Sequence, residues 1–230
     1  VLLDDDFGSI VRTIRLGRRI YDNLRKAGAY IVAVHVPIAG LALLPLLFGL
    51  PFMLMPVHIA FLEMVIDPSC SIVFEAESGE RDLMGRPPRP ATSRLLSPAI
   101  VTWSLLQGTL ALAALAGVLL SGISRGMPES ELRALMFTSL VLINVSLILV
   151  NRSFSSSLLI VVRQPNRSLW ILLALVATTL AIALAWPPAM TLFHFGQLHV
   201  HDLAMSLAAG ATVLLQMEAA KPLWRTSFRS

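Results

Sequence analysis

HIAFLEMVIDPSCSIVFEAE, residues 58–77, is the stretch whose reading decides the fold. It is apolar enough for a bilayer, yet Glu63 and Asp67 stand four residues apart within it and Pro68 follows at once. An acidic side chain at the centre of a bilayer costs about 2.5–3.5 kcal/mol on insertion scales, so two in one segment imply a compensating role. On an α-helix, positions i and i+4 share a face, which puts both carboxylates on one patch. Like charges so placed repel unless one is protonated or a cation bridges them. Pro68 has no amide proton, so the carbonyl of Met64 loses its helical donor and neighbouring carbonyls are free to turn outward. Carboxylates beside freed carbonyls make an oxygen cage for a hard cation. The alternative is two carboxylates satisfied by neighbouring helices.

Outward from this stretch the chain keeps the same character. Of 230 residues, 56% are hydrophobic and only 14% charged, and the mean hydropathy is +0.74. That exceeds what one soluble core of this size needs and points to the membrane class. A crossing helix needs about 20 predominantly apolar residues. Six windows qualify: Tyr30–Phe48, Leu54–Phe74, Pro98–Leu120, Leu132–Val150, Leu169–Trp186 and Leu203–Ala219. The expected fold is all-α, a six-helix transmembrane bundle with an N-terminal cytoplasmic stalk helix.

Basic residues alternate with the windows. Arg18, Arg19, Arg25 and Lys26 precede the first; Arg81, Arg86, Arg89 and Arg94 lie between the second and third; Arg152, Arg163 and Arg167 lie between the fourth and fifth; Lys221, Arg225 and Arg229 follow the sixth. The other side has only Arg125 and Arg133. The positive-inside rule then puts both ends in the cytoplasm. The expected location is a multi-pass position in a plasma, or cell inner, membrane, with the lipid bilayer as partner. Trp103, Trp170, Trp186 and Trp224 fall near window ends, as interfacial anchors do. Residues 1–29 differ: Asp4–Asp6 form a solvated acidic turn, and Ile10, Ile14, Tyr21 and Leu24 mark one side of an amphipathic helix. No turn signal but Gly28 separates that helix from the first window, so one continuous helix is expected. VLLDDDFGSI is acidic rather than signal-like and reads as an internal cut. Cys70 is the lone cysteine, and the net charge of +4 is scattered beside apolar runs, which argues against nucleic acid.

Further candidates lie in other windows. His35, two residues before Pro37, is suited to pair with Asp67 or Glu63, to donate to a backbone carbonyl, or to carry a proton. Asn144 and Ser146 in VLINVSLIL offer neutral oxygens or helix-to-helix hydrogen bonds. FHFGQLHVHD brings His194, His199, His201 and Asp202 together, but in a loop with nothing to fix zinc geometry. Glu218 and Lys221 read as an interfacial ion pair with a snorkelling lysine. The absence of a phosphate-binding glycine loop, a nucleophile–base arrangement and a zinc-protease signature leaves this chain alone with no catalytic residues and nothing to hydrolyse.

Three stretches resemble the calcium-pump-like group of P-type cation-transporting ATPases. VLLDDDFGSIVRTIRLGRRIYDNLRKAGAY is similar to the end of the phosphorylation domain and the stalk; GLPFMLMPVHIAFLEMVIDP resembles the loop before the sixth membrane helix and that helix; RDLMGRPPRP resembles the cytoplasmic loop that follows. The resemblance implies residues 1–29 as domain end and stalk, and 30–230 as the cation-transport domain, membrane helices five to ten. It further implies partners outside this chain: four earlier membrane helices and the actuator, nucleotide and phosphorylation domains, where ATP and Mg would act. Matched without gaps, the fifth-helix Asn ligand of such pumps falls on His35 and the Glu on Ile38. In the sixth helix the Asn falls on Glu63, the Thr on Ile66 and the Asp on Asp67. The acidic ligand of the eighth helix has Asn144 as its nearest polar counterpart. The expected cation-binding set is Glu63, Asp67, His35 and Asn144, with Glu63 and Asp67 as principal metal ligands and Pro68 as the helix break. One acid is lost from the fifth helix and one gained in the sixth, which leaves calcium, the proton and other cations open. A self-contained six-span channel or ion-coupled carrier is the rival reading.

Overall fold

The computed structural model describes residues 7–80, 82–88, 94–153 and 166–224, with backbone alone at 65–67, 69, 70 and 223. The turn expected at Asp4–Asp6 and the basic residues Arg81, Arg89, Arg163, Arg225 and Arg229 lie outside these residues. Helix α1 (Phe7–Phe48) has 42 residues, about 63 Å at 1.5 Å per residue. It runs through Gly28 without a break and joins the amphipathic segment to the first apolar window. It stops where Gly49 takes φ of 63° and the Leu50 amide donates to the Pro45 carbonyl at 3.1 Å. That six-to-one bond across a left-handed glycine satisfies one of the end carbonyls.

The second window is helical from Pro56 to Glu75 but in three parts: α2 (Pro56–Phe61), a π-helical turn (Leu62–Ile66) and α3 (Asp67–Glu75). The widened turn ends directly before Asp67 and Pro68. Proline's ring would strike the carbonyl four residues back and cannot donate to it, and a π turn is one of the few ways a helix absorbs that defect. The remaining helices are α4 (Pro98–Ser124), α5 (Glu129–Asn151), α6 (Arg167–Ala185), the short α7 (Pro187–Phe193) and α8 (Val200–Trp224). Among the described residues five helices, α1, α4, α5, α6 and α8, are individually long and apolar enough to cross a membrane. The chain is therefore an all-helical, multi-pass membrane protein, and the expected second span differs from the other five in being divided at its acidic centre.

Helix α5 is the central post, with most of its apolar window buried. It packs chiefly on α8, and α1 packs on α4. Small residues set these crossings: a Cβ on Gly108 of α4 would stand 2.6 Å from the Ala33 carbonyl oxygen of α1. Close backbone approach of this kind is how helices associate in lipid, where apolar burial supplies no drive between them. Buried polar pairs add specificity, as in the amides of Gln107 and Asn151, which bond each other at 2.7 and 3.3 Å, and in Ser139 with Ser206 at 2.9 Å. Trp170 and Trp186 are exposed as expected. Trp103 is not an interfacial anchor: it is buried and packs on Trp224, because it lies on the face Ile100–Trp103–Gln107 that α4 turns inward.

The basic residues segregate by end. Arg18 of α1 donates to the carbonyls of Leu83 and Arg86 at 2.9 and 2.7 Å, and Arg86 pairs with Asp22 at 2.8 Å. The described part of the RDLMGRPPRP loop, residues 82–88, is thereby stitched along the first half of α1. Arg133 sits at the opposite end of α5 from Arg152, donating to the carbonyls of Phe52 and His194 at 3.3 and 3.0 Å. Lys221 does not snorkel: it is 4% exposed and paired with Glu218.

Candidate cation site

Three elements bear on the divided segment. From α1, His35 directs Nε2 toward Glu63 Oε1 at 3.8 Å. Its Nδ1 lies 2.8 Å from the Ile31 carbonyl oxygen. A carbonyl can only accept, so Nδ1 carries a proton. Nε2 then presents a lone pair to the carboxylate unless the ring is charged, and 3.8 Å is too long for a direct hydrogen bond. A proton or cation between the two would relieve that opposition. Both side chains are about half exposed, 50% and 49%, and Met64 beside them is 78% exposed. This part of the segment faces away from the α4–α5–α8 body. Of the alternatives for His35, the structure shows the contact with the backbone carbonyl, with Glu63 nearby but beyond hydrogen-bond distance.

Asp67 opens α3 and Pro68 follows it, exposed. The Asp67 side chain, and with it the patch expected with Glu63, lies outside what is described, as do the side chains of Ser69 and Cys70. Asn144 lies on α5, fully buried, and neither its Nδ2 nor its Oδ1 has a hydrogen-bond partner among the described residues. Buried amides are nearly always bonded, so this one is an exception with a reason to be found. Ser146 instead bonds back to the Leu142 carbonyl of its own helix at 3.1 Å. No ion pair or hydrogen bond among the described residues links Asn144 to His35 or Glu63, and no three His, Cys, Asp or Glu side chains converge there on a metal position. The histidine-rich loop is otherwise employed: buried Asp202 pairs with Arg125 at 2.8 Å and accepts the His199 amide at 3.1 Å.

Two features escaped the sequence reading. His58, inside the opening stretch, is wholly buried. Its Nδ1 accepts the Met55 amide at 2.9 Å, which leaves the proton on Nε2 to be donated to the Phe193 carbonyl at 2.9 Å. The neutral ring stacks on Phe195, with centroids 5.1 Å apart. Its position as third residue of a helix that begins with proline is the only local signal, since a side chain there can reach back to the N-cap amide. The second feature is a buried pair at the other end of the segment, Arg152 Nε to Glu77 Oε2 at 2.7 Å, both side chains at most 2% exposed. Removing one partner of such a pair costs about 3–5 kcal/mol. No local pattern announces it.

Comparison with known proteins places this geometry. A family model described as cation transporting ATPase, C-terminus, matches residues 51–223. The calcium-transporting ATPase of Bacillus subtilis (strain 168) is 28% identical over 225 residues, covering 94% of this chain and 24% of the relative. Potassium-transporting ATPase alpha chain 1 of Xenopus laevis is 35% identical over 108 residues, 46% of this chain and 10% of its own length. The sodium/potassium-transporting ATPase subunit alpha-B of Artemia franciscana is 36% identical over 103 residues, 44% and 10%. The chain spans between 10% and 24% of the length of these relatives. With four of its five long apolar helices and its divided acidic segment in the matched region, the chain belongs to the C-terminal membrane region of the P-type cation-transporting ATPases.

Proposed function

We propose that the chain forms the cation-translocating membrane domain of an ATP-driven pump. In this reading the helical stretch Pro56–Glu75 crosses the bilayer as a sixth span, the first half of α1 is the cytoplasmic stalk, and both ends face the cytoplasm of a plasma-type membrane. Glu63 and Asp67 are the principal ligands, His35 and Asn144 their partners, and Pro68 shapes the site. ATP and Mg2+ act in cytoplasmic domains beyond this chain, and the actuator, nucleotide and phosphorylation domains and four earlier membrane helices complete the machine.

The observation that carries the reading is the π-to-α junction at Leu62–Pro68, which sets the Glu63 carboxylate 3.8 Å from a histidine nitrogen within an apolar segment. Ionisable groups there mark ion pathways. The Asn144 amide, without a hydrogen-bond partner among the described residues, supports a role as a neutral oxygen ligand. Carboxylates with carbonyls favour a hard cation, and a histidine beside a carboxylate equally suits a proton. The test is ATP hydrolysis by the full-length pump across Ca2+, Mg2+, Mn2+, Na+, K+ and pH. Asp67→Asn should abolish the stimulation by whichever ion is effective; unchanged stimulation would show that the acids only hold helices together.

A further inference from the structure

The inner end of α3 ought to be a weak point. Its last carbonyls have no donors within the helix. Ala76 rather than glycine follows it, and Glu77 sets a negative charge at the negative end of the helix dipole. The amides of Ala76 and Glu77 reach back to the Ile72 and Phe74 carbonyls at 3.1 and 3.2 Å; the Val73 carbonyl and the Glu77 charge are met from other helices. Asn166, at the start of α6, donates to the Val73 carbonyl at 3.1 Å and to Glu77 Oε2 at 3.0 Å, while its own Oδ1 caps α6 through the Leu169 amide at 3.1 Å. Asn23 of α1 donates to the Glu77 carbonyl at 2.9 Å. Arg152, just past α5, holds the Glu77 carboxylate through Nε at 2.7 Å and a terminal nitrogen at 3.3 Å. Three residues beyond Glu77, Glu80 is held by Lys26 of α1 at 3.0 Å and by Ser153 at 2.9 Å. Asn23, Glu77, Arg152 and Asn166 are all 6% exposed or less.

The other end of α3 is unlike this. It begins at a π turn whose Glu63 and Met64 are 49% and 78% exposed. Nine residues of helix join the two ends, a rod about 13 Å long. With one end bolted to α1, α5 and α6, a displacement of the segment is taken up at the π turn, which carries Glu63 and ends directly before Asp67. An apolar pair of the same volume would stabilise the end as well as a buried ion pair does; what the ion pair adds is a defined register.

We propose that Arg152, Glu77 and Asn166 are positioning residues for the cation site: they hold the inner end of α3 and so fix where that helix begins, at Asp67, relative to the π turn that carries Glu63. The proposal rests on the reading of Glu63 and Asp67 as cation ligands. It is tested in the full-length pump in vesicles, with whichever of Ca2+, Mn2+, Na+ and K+ stimulates the wild type. The double variant Glu77→Gln/Arg152→Met removes both charges and leaves no buried ion alone. It should keep its melting temperature and its maximal ATP hydrolysis, yet need about tenfold more cation for half-maximal activity, the size of loss typical when supports of metal ligands are removed. Arg152→Lys, which keeps one donor on Glu77, should fall between the two. A wild-type half-maximal concentration in the double variant overturns the proposal. Should the double variant fail to fold, a wild-type value in Arg152→Lys does so. Asp67→Asn separates the two ideas. If it leaves stimulation intact, the ligand reading fails and takes this proposal with it; if it abolishes stimulation while the double variant is normal, only the positioning role falls.

Discussion

Replacing Asn144 with leucine tests the site from an unusual direction, because the variant should be more stable than the natural protein. Leucine keeps the branching of asparagine and exchanges Oδ1 and Nδ2 for methyl groups. Both of those atoms are buried without a hydrogen-bond partner among the described residues. A buried polar group left unbonded costs about 1–3 kcal/mol in protein mutational data, and that cost disappears in the variant. In cation-free buffer, unfolding of the purified pump in detergent should therefore be harder by about 1–3 kcal/mol. Cation reverses part of the gain. At one hundred times its dissociation constant a ligand stabilises the wild type by about 2.7 kcal/mol. A tenfold weaker variant receives about 1.4 kcal/mol at the same concentration, by the same relation. The assay is denaturant unfolding with and without the stimulating cation. If Asn144→Leu is the less stable protein without cation, the amide is bonding a neighbour and is not a waiting ligand. An undiminished cation increment would equally sink the reasoning.

Two further outcomes follow from the packing. His58→Ala should leave the Met55 amide and the Phe193 carbonyl without partners, costing about 2–6 kcal/mol for two buried groups; amide hydrogen exchange at Met55 should accelerate, and an unchanged rate would show that His58 does not tie the N-terminal end of α2 down. Gly108→Val should force α4 away from α1, because the first added carbon already stands 2.6 Å from the Ala33 carbonyl oxygen; overpacking of this kind costs about 1–3 kcal/mol, read as a lowered melting temperature, whereas Gly117→Val, with nothing within 4 Å, should change it little.

What the chain alone determined concerns residues near one another along it. Hydropathy windows depend on contiguous composition, so the helical membrane class and the positions of the apolar segments were legible, as was the unbroken helix through Gly28. The defect at Glu63–Pro68 was legible for the same reason: helical spacing and a missing amide proton act within a single turn. That the defect takes the form of a π turn depends on how each end of the segment is held, and neither anchor was visible. His58 meets Phe193 across 135 residues, and Arg152 meets Glu77 across 75. Trp103 was misplaced at the interface because a window end says how deep a residue lies and nothing of which way its helix face turns. Arg152 likewise read as one more basic residue between two windows, with nothing along the chain to show that it is buried against Glu77. Such pairings follow from which faces meet where helices cross, set by close approaches such as Gly108 against α1, and in lipid they come from packing and hydrogen bonding rather than from any apolar periodicity the chain displays. The carboxylates were written in the sequence; the opposition of His35 to Glu63, the buried amide of Asn144 and the clamp on α3 were decided only when the helices came together.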